Sequence, residues 1–583
     1  MHKNALWLFA GLLGLGLAGC TSMTSQDGTG GKQATPASTN DTAPAPDKEV
    51  KYADFEPDVL YKLLTAEIAA QRGRYDVTLV NYVQAAKQSR DPGVIKRAMR
   101  IAQSLKGDNA QRQLADLWLE TDPDNLEAHR VAAIQAIKGN DLQTALDHME
   151  KIMDLGGDAD FDSLAAMAAN LPPEQQSELL NLYRKLETRH PDNQEIHYSI
   201  ALLLKITGDQ KAALTQLKPL LDKQPDFQPA LVLKGDLLYE TGQTDAALQF
   251  LKTNTRRYPQ NRQMGTLYGR MLVSEGDLQA AQDEFQRLLE QFPDTPGLRL
   301  SHALVALENG DTDIAREDLT SLIEQGHHTS EAHYYLGRIA DQEGDTESAI
   351  GYYDNVTEGS HFFPALARLS SLRAQQGELD EALAHVRQLR GKNPTRADNF
   401  WLIEINLLVS NDRKAQALDA ANQAINTYPD NVRLLYARAM LQDSMGNAGE
   451  AEQDLRSIID QQPDNAVALN ALGYILANQD GRLAEAEDLI GRALALDPKN
   501  PAIMDSMGWV LFRQGRVDEA LKYLRAAYEN FPDPEVAAHL GEALWTGGQP
   551  AEARKVWRNG LEQNPDDTLI RETMDRLGVG TNP

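Results

Sequence analysis

The fold is decided by the stretch Pro501–Pro532, PAIMDSMGWVLFRQGRVDEALKYLRAAYENFP. Its apolar residues recur three and four positions apart in two successive segments, a spacing that predicts two amphipathic helices. Gly515 lies between the segments, where the end of a helix favours a residue that tolerates positive φ. Asn500 and Pro501 supply an N-cap and a first-turn proline. The stretch therefore predicts a helical hairpin that cannot bury its apolar faces alone.

The same unit recurs along most of the chain with a period of roughly 34 residues. Gly or Ala often fills the eighth position of the unit, as at Gly508, and Ala usually fills the twentieth, as at Ala520. Small residues at both positions allow two helices to cross closely. Units end at Pro191, Pro225, Pro259 and Pro293, then without a proline at His327 and His361, and again at Pro394, Pro429, Pro463, Pro498, Pro532 and Pro565. This repetition predicts one elongated stack of repeats rather than several globular domains.

The unit resembles the tetratricopeptide repeat, which has a Leu-Gly pair in its first helix, an Ala and a larger residue in its second, and a closing Pro. The final unit carries this pattern on Leu540, Gly541, Ala553, Trp557 and Pro565. The resemblance implies an all-α, tetratricopeptide-repeat superhelical solenoid. The resemblance also implies that the first helix of each unit lines the concave side of the superhelix.

We expect the repeats to cover residues 126–565. Residues 51–125 have weaker signatures and predict divergent amino-terminal helical hairpins, and residues 566–583 predict a capping helix and tail. Two units depart from the pattern. The unit at 398–429 has Ile405 and Asp412 where Gly is usual, and the unit at 158–191 is interrupted by two prolines.

The amino end predicts the compartment. An apolar run of signal-peptide length ends in Leu17-Ala18-Gly19-Cys20, which resembles the lipobox of bacterial lipoproteins. The resemblance implies that residues 1–19 are a signal peptide and that Cys20 carries acyl chains anchoring the protein in the membrane. Thr21, in place of the Asp that retains many lipoproteins at the inner membrane, favours the periplasmic face of the outer membrane. An ordinary signal peptide or an uncleaved anchor is the alternative.

Residues 20–50 are rich in Ser, Thr, Gly, Pro and Ala, and they predict a disordered linker after the lipidated cysteine. The formal net charge of −28 argues against nucleic acid as a partner, because the chain could not neutralise a run of phosphates. Cys20 is the one cysteine, so no disulfide within the chain and no cysteine-based zinc site is expected.

The sequence carries no recognisable catalytic motif, and the formal G-x-G-x-x-G match at Gly14–Gly19 has no strand or βαβ context, so we expect a non-enzymatic protein with no cofactor. His327, His328 and His333 are close in sequence and raise the possibility of a metal site. They straddle an inter-repeat turn, however, so we expect a structural role and no metal.

Several first helices carry large or charged residues on the face that the apolar stripe does not use. Aromatic residues and Met are common anchors of protein interfaces. We therefore predict that this carboxy-terminal concave surface holds a protein segment; the alternative is that the rings pack between adjacent repeats. The candidate residues are Tyr334, Tyr436, Met440, Tyr474, Asp505, Trp509, Phe512 and Trp545.

As a whole, the chain resembles outer-membrane tetratricopeptide lipoproteins that bind and activate a periplasmic carboxy-terminal processing protease. The lipobox, the linker, the length and the repeats extending to the carboxy end carry the resemblance. It implies a Ser-Lys protease as partner and murein hydrolases as its clients, brought together on a scaffold. The alternative is an assembly factor for a pilus, secretion or polysaccharide export machine.

Overall fold

The computed structural model describes residues 54–479, 481–565 and 567–580. Within them the chain forms 31 α-helices and no strand, with short 3₁₀ turns at Ala168–Asn170 and Pro394–Arg396. The all-α repeat fold predicted from the sequence is therefore confirmed. The predicted signal peptide, the lipidation site Cys20 and the linker over residues 20–50 lie outside the described residues. None of the helices in the described ranges has the length and apolar character needed to cross a bilayer.

The chain divides into two units, one ending at Ala315 and the other beginning at Arg316. The division falls within the helix α16, Thr312–Glu324. The helices of the first unit are α1 Pro57–Gln71, α2 Tyr75–Ser89, α3 Pro92–Ser104, α4 Asp108–Thr121, α5 Leu126–Lys138, α6 Leu142–Asp154, α7 Phe161–Met167, α8 Pro173–Arg189, α9 Gln194–Ile206, α10 Gln210–Lys223, α11 Gln228–Glu240, α12 Thr244–Arg257, α13 Arg262–Ser274, α14 Leu278–Gln291 and α15 Pro296–Asn309.

The first unit stacks antiparallel helix pairs, and each pair packs on the next. Its irregular element is the pair α7 and α8. α7 ends after seven residues and is followed by the 3₁₀ turn Ala168–Asn170. Neither Pro172 nor Pro173 can donate a backbone hydrogen bond, so the helix does not continue through them, and Pro173 is the first residue of α8. The hydroxyl of Tyr183 in α8 donates to the carbonyl oxygen of Phe161 at 2.6 Å and ties the short helix to the long one.

The second unit is also built of antiparallel helix pairs, each of which packs on the next. Its helices are α17 Thr329–Gln342, α18 Thr346–Asp354, α19 Phe362–Gln375, α20 Leu379–Lys392, α21 Ala397–Ser410, α22 Lys414–Thr427, α23 Val432–Ser444, α24 Ala448–Gln461, α25 Ala466–Ala477, α26 Leu483–Leu496, α27 Pro501–Arg513, α28 Val517–Asn530, α29 Pro534–Thr546, α30 Pro550–Gln563 and α31 Thr568–Arg576. First helices also contact one another, as α21 contacts α23 and α25 contacts α27.

Close helix crossings explain the small residues of the repeat. A Cβ atom built on Gly508 would lie 2.5 Å from Cγ of Leu524 in the paired helix α28. Atoms at that separation overlap, so glycine is required for α27 and α28 to approach this closely. Ala520, the small residue of the second helix, is fully buried at the same contact.

The turn inside a helix pair uses a left-handed residue, except in the pair α7 and α8. Gly515 has φ of +82° between α27 and α28, as its place in the sequence predicts. In the divergent unit, Asp412 takes the same left-handed conformation at φ +58° between α21 and α22. The turn is thus kept where glycine is missing.

The last helix, α31, closes the second unit. Oδ1 of Asp567 accepts a hydrogen bond of 2.9 Å from the amide of Ile570 and caps the helix. Ile570 and Met574 are buried, and Arg576 pairs with Glu542 of α29 at 2.6 Å. The helix thus has one buried apolar side, which suits the final element of a stack.

Candidate protein-binding surface

Three successive first helices of the second unit, α21, α23 and α25, line an open apolar groove of about 550 Å³. Leu402 and Val409 of α21 form one wall, Tyr436 and Met440 of α23 form the floor, and Val467 of α25 forms the opposite wall. We refer to this feature as the groove. It brings together two of the residues singled out in the sequence, Tyr436 and Met440.

The groove exposes apolar surface that the chain itself does not cover. Val467 is 56% exposed, whereas Leu402, Tyr436 and Met440 are partly buried against the core. Concave apolar surfaces of this size are characteristic of binding sites, because a partner that covers them removes apolar area from water. The residues can bind by packing; their side chains include no metal-ligating set and no nucleophile with a base.

Charged residues stand at both ends of the α23 face that carries Tyr436 and Met440. Arg433 is exposed near one end, and its Nη1 donates to Oδ1 of Asn399 at 2.8 Å. Asp443 stands at the other end, beside the groove residue Ser444. Part of the Asp443 side chain reaches solvent, yet desolvation by the surrounding protein raises the pKa of its carboxyl group.

Four other candidate residues gather around a histidine that the sequence analysis did not identify. The ring of Trp509 stacks on His539 of α29, with centroids 4.1 Å apart, and on Phe512 at 5.4 Å. Tyr474 lies 6.0 Å from the same histidine ring. Nδ1 of His539 is 2.8 Å from Oδ2 of Asp505. We refer to these five residues as the histidine cluster.

The histidine cluster is tied together by polar contacts; His539, Asp505 and Trp509 are buried, and the side of Tyr474 and Glu535 is open to solvent. Nε1 of Trp509 donates to Oδ1 of Asn478 at 2.9 Å, and the hydroxyl of Tyr474 donates to Oε1 of Glu535 at 2.5 Å. Burial, together with the charge of Glu535, raises the pKa of Tyr474 well above its ordinary value. Burial by itself disfavours protonation of His539, but nearby carboxylates, led by Asp505, outweigh it and raise its pKa.

Asp505 and Trp509 lie between repeats and not on an open surface. Asp505 is 5% exposed and Trp509 is 8% exposed, because α29 covers the face of α27 that the sequence pattern left unassigned. The position of Trp509 agrees with the alternative given above, in which the rings pack between adjacent repeats. A direct role for either residue in binding a partner stays a prediction.

The remaining candidates are separate from both groups. Tyr334 stacks on His361 with centroids 4.3 Å apart, and Trp545 lies against Trp557 at 6.0 Å. Both Tyr334 and Trp545 are partly buried within the second unit. Of the eight candidate residues, two line the groove, four belong to the histidine cluster, and two make separate aromatic contacts.

The neighbouring histidines of the sequence do not converge. His328 immediately precedes α17 at φ +49°, and His333 lies one turn inside that helix with its ring 6.1 Å from Tyr352. Over the described ranges, no three His, Cys, Asp or Glu side chains are arranged to hold a metal ion.

Two kinds of candidate residue were not predicted from the sequence. His539 contacts Asp505 across 34 positions, one repeat length, so the period itself could have signalled the contact. Arg433 and Asp443 lie three residues on either side of Tyr436 and Met440, a helical spacing that places all four on one face.

The comparisons with known proteins agree with this architecture. Models of the family described as tetratricopeptide repeat match residues 206–271, 263–295, 300–360, 436–501 and 506–568. The chain is 40% identical over 583 residues to the TPR repeat-containing protein PA4667 of Pseudomonas aeruginosa, covering 100% of this chain and 98% of that protein.

Two further similarities are more partial. The type IV pilus assembly protein PilF of Pseudomonas aeruginosa is 29% identical over 136 residues, which cover 23% of this chain and 53% of that protein. The crystal structure of a tetratricopeptide repeat protein from Parabacteroides merdae covers 42% of this chain and 98% of its own, at 17% identity and a TM-score of 0.34. With the repeat matches and the full-length relative together, the chain belongs to the tetratricopeptide repeat family, whose members are generally non-catalytic scaffolds for protein interactions.

Proposed function

We propose that this chain is a non-enzymatic scaffold held at the periplasmic face of the outer membrane by acyl chains on Cys20. Its partner is a carboxy-terminal processing protease of the Ser-Lys type, which it activates, and it delivers murein hydrolases to that protease. The lipobox, the linker and the repeats reaching the carboxy end support this proposal through the resemblance they carry.

The groove is the observation that carries the scaffold role. It is open, apolar and built from three successive first helices, and Tyr436 and Met440 on its floor are residue types that anchor protein interfaces. A protein segment lying in the groove would pack beside Val467, which the chain leaves exposed.

A scaffold of this kind increases a reaction rate without chemistry of its own. When protease and client are held on one chain, their encounter becomes intramolecular and their effective concentration rises to about the millimolar range. The chain then needs binding surfaces and no catalytic group.

The test combines the purified chain, a purified carboxy-terminal processing protease and a murein hydrolase. We expect the chain to accelerate cleavage of the hydrolase and the variant Val467→Asp to lose that effect. Asp is favourable in the first turn of α25, so this variant places a charge in the groove without weakening the helix. Leu569→Asp, which places the same charge at the second residue of α31 on an exposed position outside the groove, is the matched control.

Unchanged acceleration by Val467→Asp would contradict a role for the groove. Equal cleavage rates with and without the wild-type chain would contradict activation of the protease. The first result tests the groove as the binding site, and the second tests the protease as the partner.

A second candidate function is assembly of a pilus, a secretion machine or a polysaccharide export line. The partial similarity to the pilus assembly protein PilF favours it. Affinity capture of the lipidated chain from crosslinked cells distinguishes the two functions. Recovery of pilus or secretion components without a protease would favour the second.

A further inference from the structure

We infer that the groove selects a short extended protein segment with an acidic group at one end, a basic group at the other and an apolar side chain between them. The inference rests on the proposed use of the groove as a protein-binding surface. It adds the charge and the length of the occupant.

Four residues of α23 set the length. Arg433, Tyr436, Met440 and Asp443 follow one another at intervals of three and four residues, so they share one face of the helix. Arg433 and Asp443 are ten positions apart, which corresponds to about 15 Å of helix. An extended chain rises about 3.3 Å per residue, so a segment of about five residues reaches from one charge to the other.

The two end charges are not used inside the protein. The hydrogen bond of Arg433 goes to the neutral amide of Asn399, and neither Arg433 nor Asp443 forms an ion pair within the described part of the chain. Arg438 of the same helix is different, because both its Nε and its Nη2 donate to the buried carboxylate of Asp454 at 2.8 and 2.7 Å. α23 therefore uses one arginine in an internal ion pair and leaves one cation and one anion exposed to solvent.

The surroundings of Arg433 and Asp443 strengthen the interaction of both charges with a bound segment. The apolar floor lies between them, and a segment covering that floor excludes water from both ends, which strengthens interactions between opposite charges. A segment with an acidic group beside Arg433 and a basic group beside Asp443 is attracted at both ends. A segment with two like charges is repelled at one of the two ends. In an extended segment the first, third and fifth side chains share one face, which places an acid, an apolar residue and a base toward α23.

Three fluorescein-labelled peptides test the inference, Glu-Val-Leu-Val-Lys, Glu-Val-Leu-Val-Glu and Lys-Val-Leu-Val-Lys, each without charged termini. Fluorescence anisotropy with the full chain gives their affinities. We expect the mixed-charge peptide to bind about fivefold to tenfold more tightly than either like-charge peptide at low salt. The preference should shrink as salt is added, because salt screens exposed charges.

Charge reversal in the protein should change the preference in a defined direction. Arg433→Glu should favour the peptide with two lysines, and Asp443→Lys should favour the peptide with two glutamates. Both residues are exposed, so the variants should fold, which an unchanged melting temperature verifies. Lys499→Glu, an exposed charge change outside the groove, is the control and should leave the order of affinities unchanged.

Equal affinities for the three peptides, unaltered in the variants, would overturn the inferred charge preference. The proposed scaffold function would survive that result, since it is judged separately by Val467→Asp. If none of the peptides binds the wild-type chain, the occupant is not a short extended segment and the inference is wrong.

Discussion

Gly541 and Trp557 share the contact at which α29 crosses α30. A Cβ on Gly541 would lie 2.1 Å from Nε1 of Trp557, and the indole is fully buried and cannot move aside. We expect Gly541→Ala to lower the free energy of unfolding by about 1–3 kcal/mol, the usual cost of overpacking. Denaturant unfolding measures the change.

The control for that substitution is Gly351→Ala. Gly351 lies inside α18, and a Cβ there would meet no atom within 4 Å. The same change should therefore stabilise the chain by about 0.5–1 kcal/mol, because alanine favours a helix interior over glycine. Equal effects of the two substitutions would contradict the close crossing.

The position of Trp509 between two helices indicates that its ring stabilises the fold. Its burial between α27 and α29 predicts that Trp509→Ala lowers the free energy of unfolding by about 3–5 kcal/mol. Phe512→Ala should cost less, since Phe512 is partly exposed. A loss of partner binding by Trp509→Ala with an unchanged melting curve would instead assign Trp509 to the binding surface.

The pH dependence of stability should report on His539. Because the carboxylates around it raise the pKa of His539 in the folded chain, its contribution to stability is complete below its unfolded pKa of about 6.5. That contribution declines as the pH rises through the higher folded pKa. Comparing unfolding curves of the wild type and His539→Gln across this range should show a difference that narrows with rising pH. A difference that widens would contradict the raised pKa.

At the scale of the element, the hairpin α27–α28 could be predicted from sequence because its caps, turn and apolar spacing are all local. The pair α7–α8 could not, since the two prolines shorten the first helix in a way that the period does not specify. The groove was predicted in part. Tyr436 and Met440 follow the repeat spacing, whereas the burial of Trp509 depends on a histidine in the next repeat, which a helix-by-helix view does not include.

The turn between α21 and α22 offers a test at the same scale. Asp412 adopts φ of +58°, a conformation that costs a residue with a Cβ about 1 kcal/mol and costs glycine little. Asp412→Gly should therefore raise the free energy of unfolding by up to about 1 kcal/mol. Gly446→Asp, the reverse change at the turn before α24 with φ +80°, should lower it by a similar amount. Thermal unfolding of both variants checks the pair, and two shifts of the same sign would contradict the shared turn geometry.

At the scale of the whole molecule, the scaffold proposal combines a predicted anchor at one end of the chain with a groove far along the sequence. Cys20 lies before residues 21–53, and the groove residues fall between 402 and 468. A chain anchored in this way keeps its partners near the membrane without having to bind them tightly, because tethering raises local concentration. Anchoring and partner binding should therefore be separable by mutation.

Removing the anchor tests whether anchoring and partner binding are independent. We expect a chain with Cys20→Ser and an ordinary secretory signal peptide in place of residues 1–19 to appear in the soluble periplasmic fraction. Stable anchoring depends on acyl chains, each buried CH₂ contributing about 0.8 kcal/mol, and serine provides no thiol for the thioether. The affinity of the secreted chain for its partner should be unchanged, since the groove is untouched. Thr21→Asp, which keeps the acylated cysteine, is the control and should move the chain to the inner membrane. Recovery of the Cys20→Ser chain with the outer membrane would contradict lipid anchoring, and a lost affinity for the partner would show that anchoring and binding are coupled.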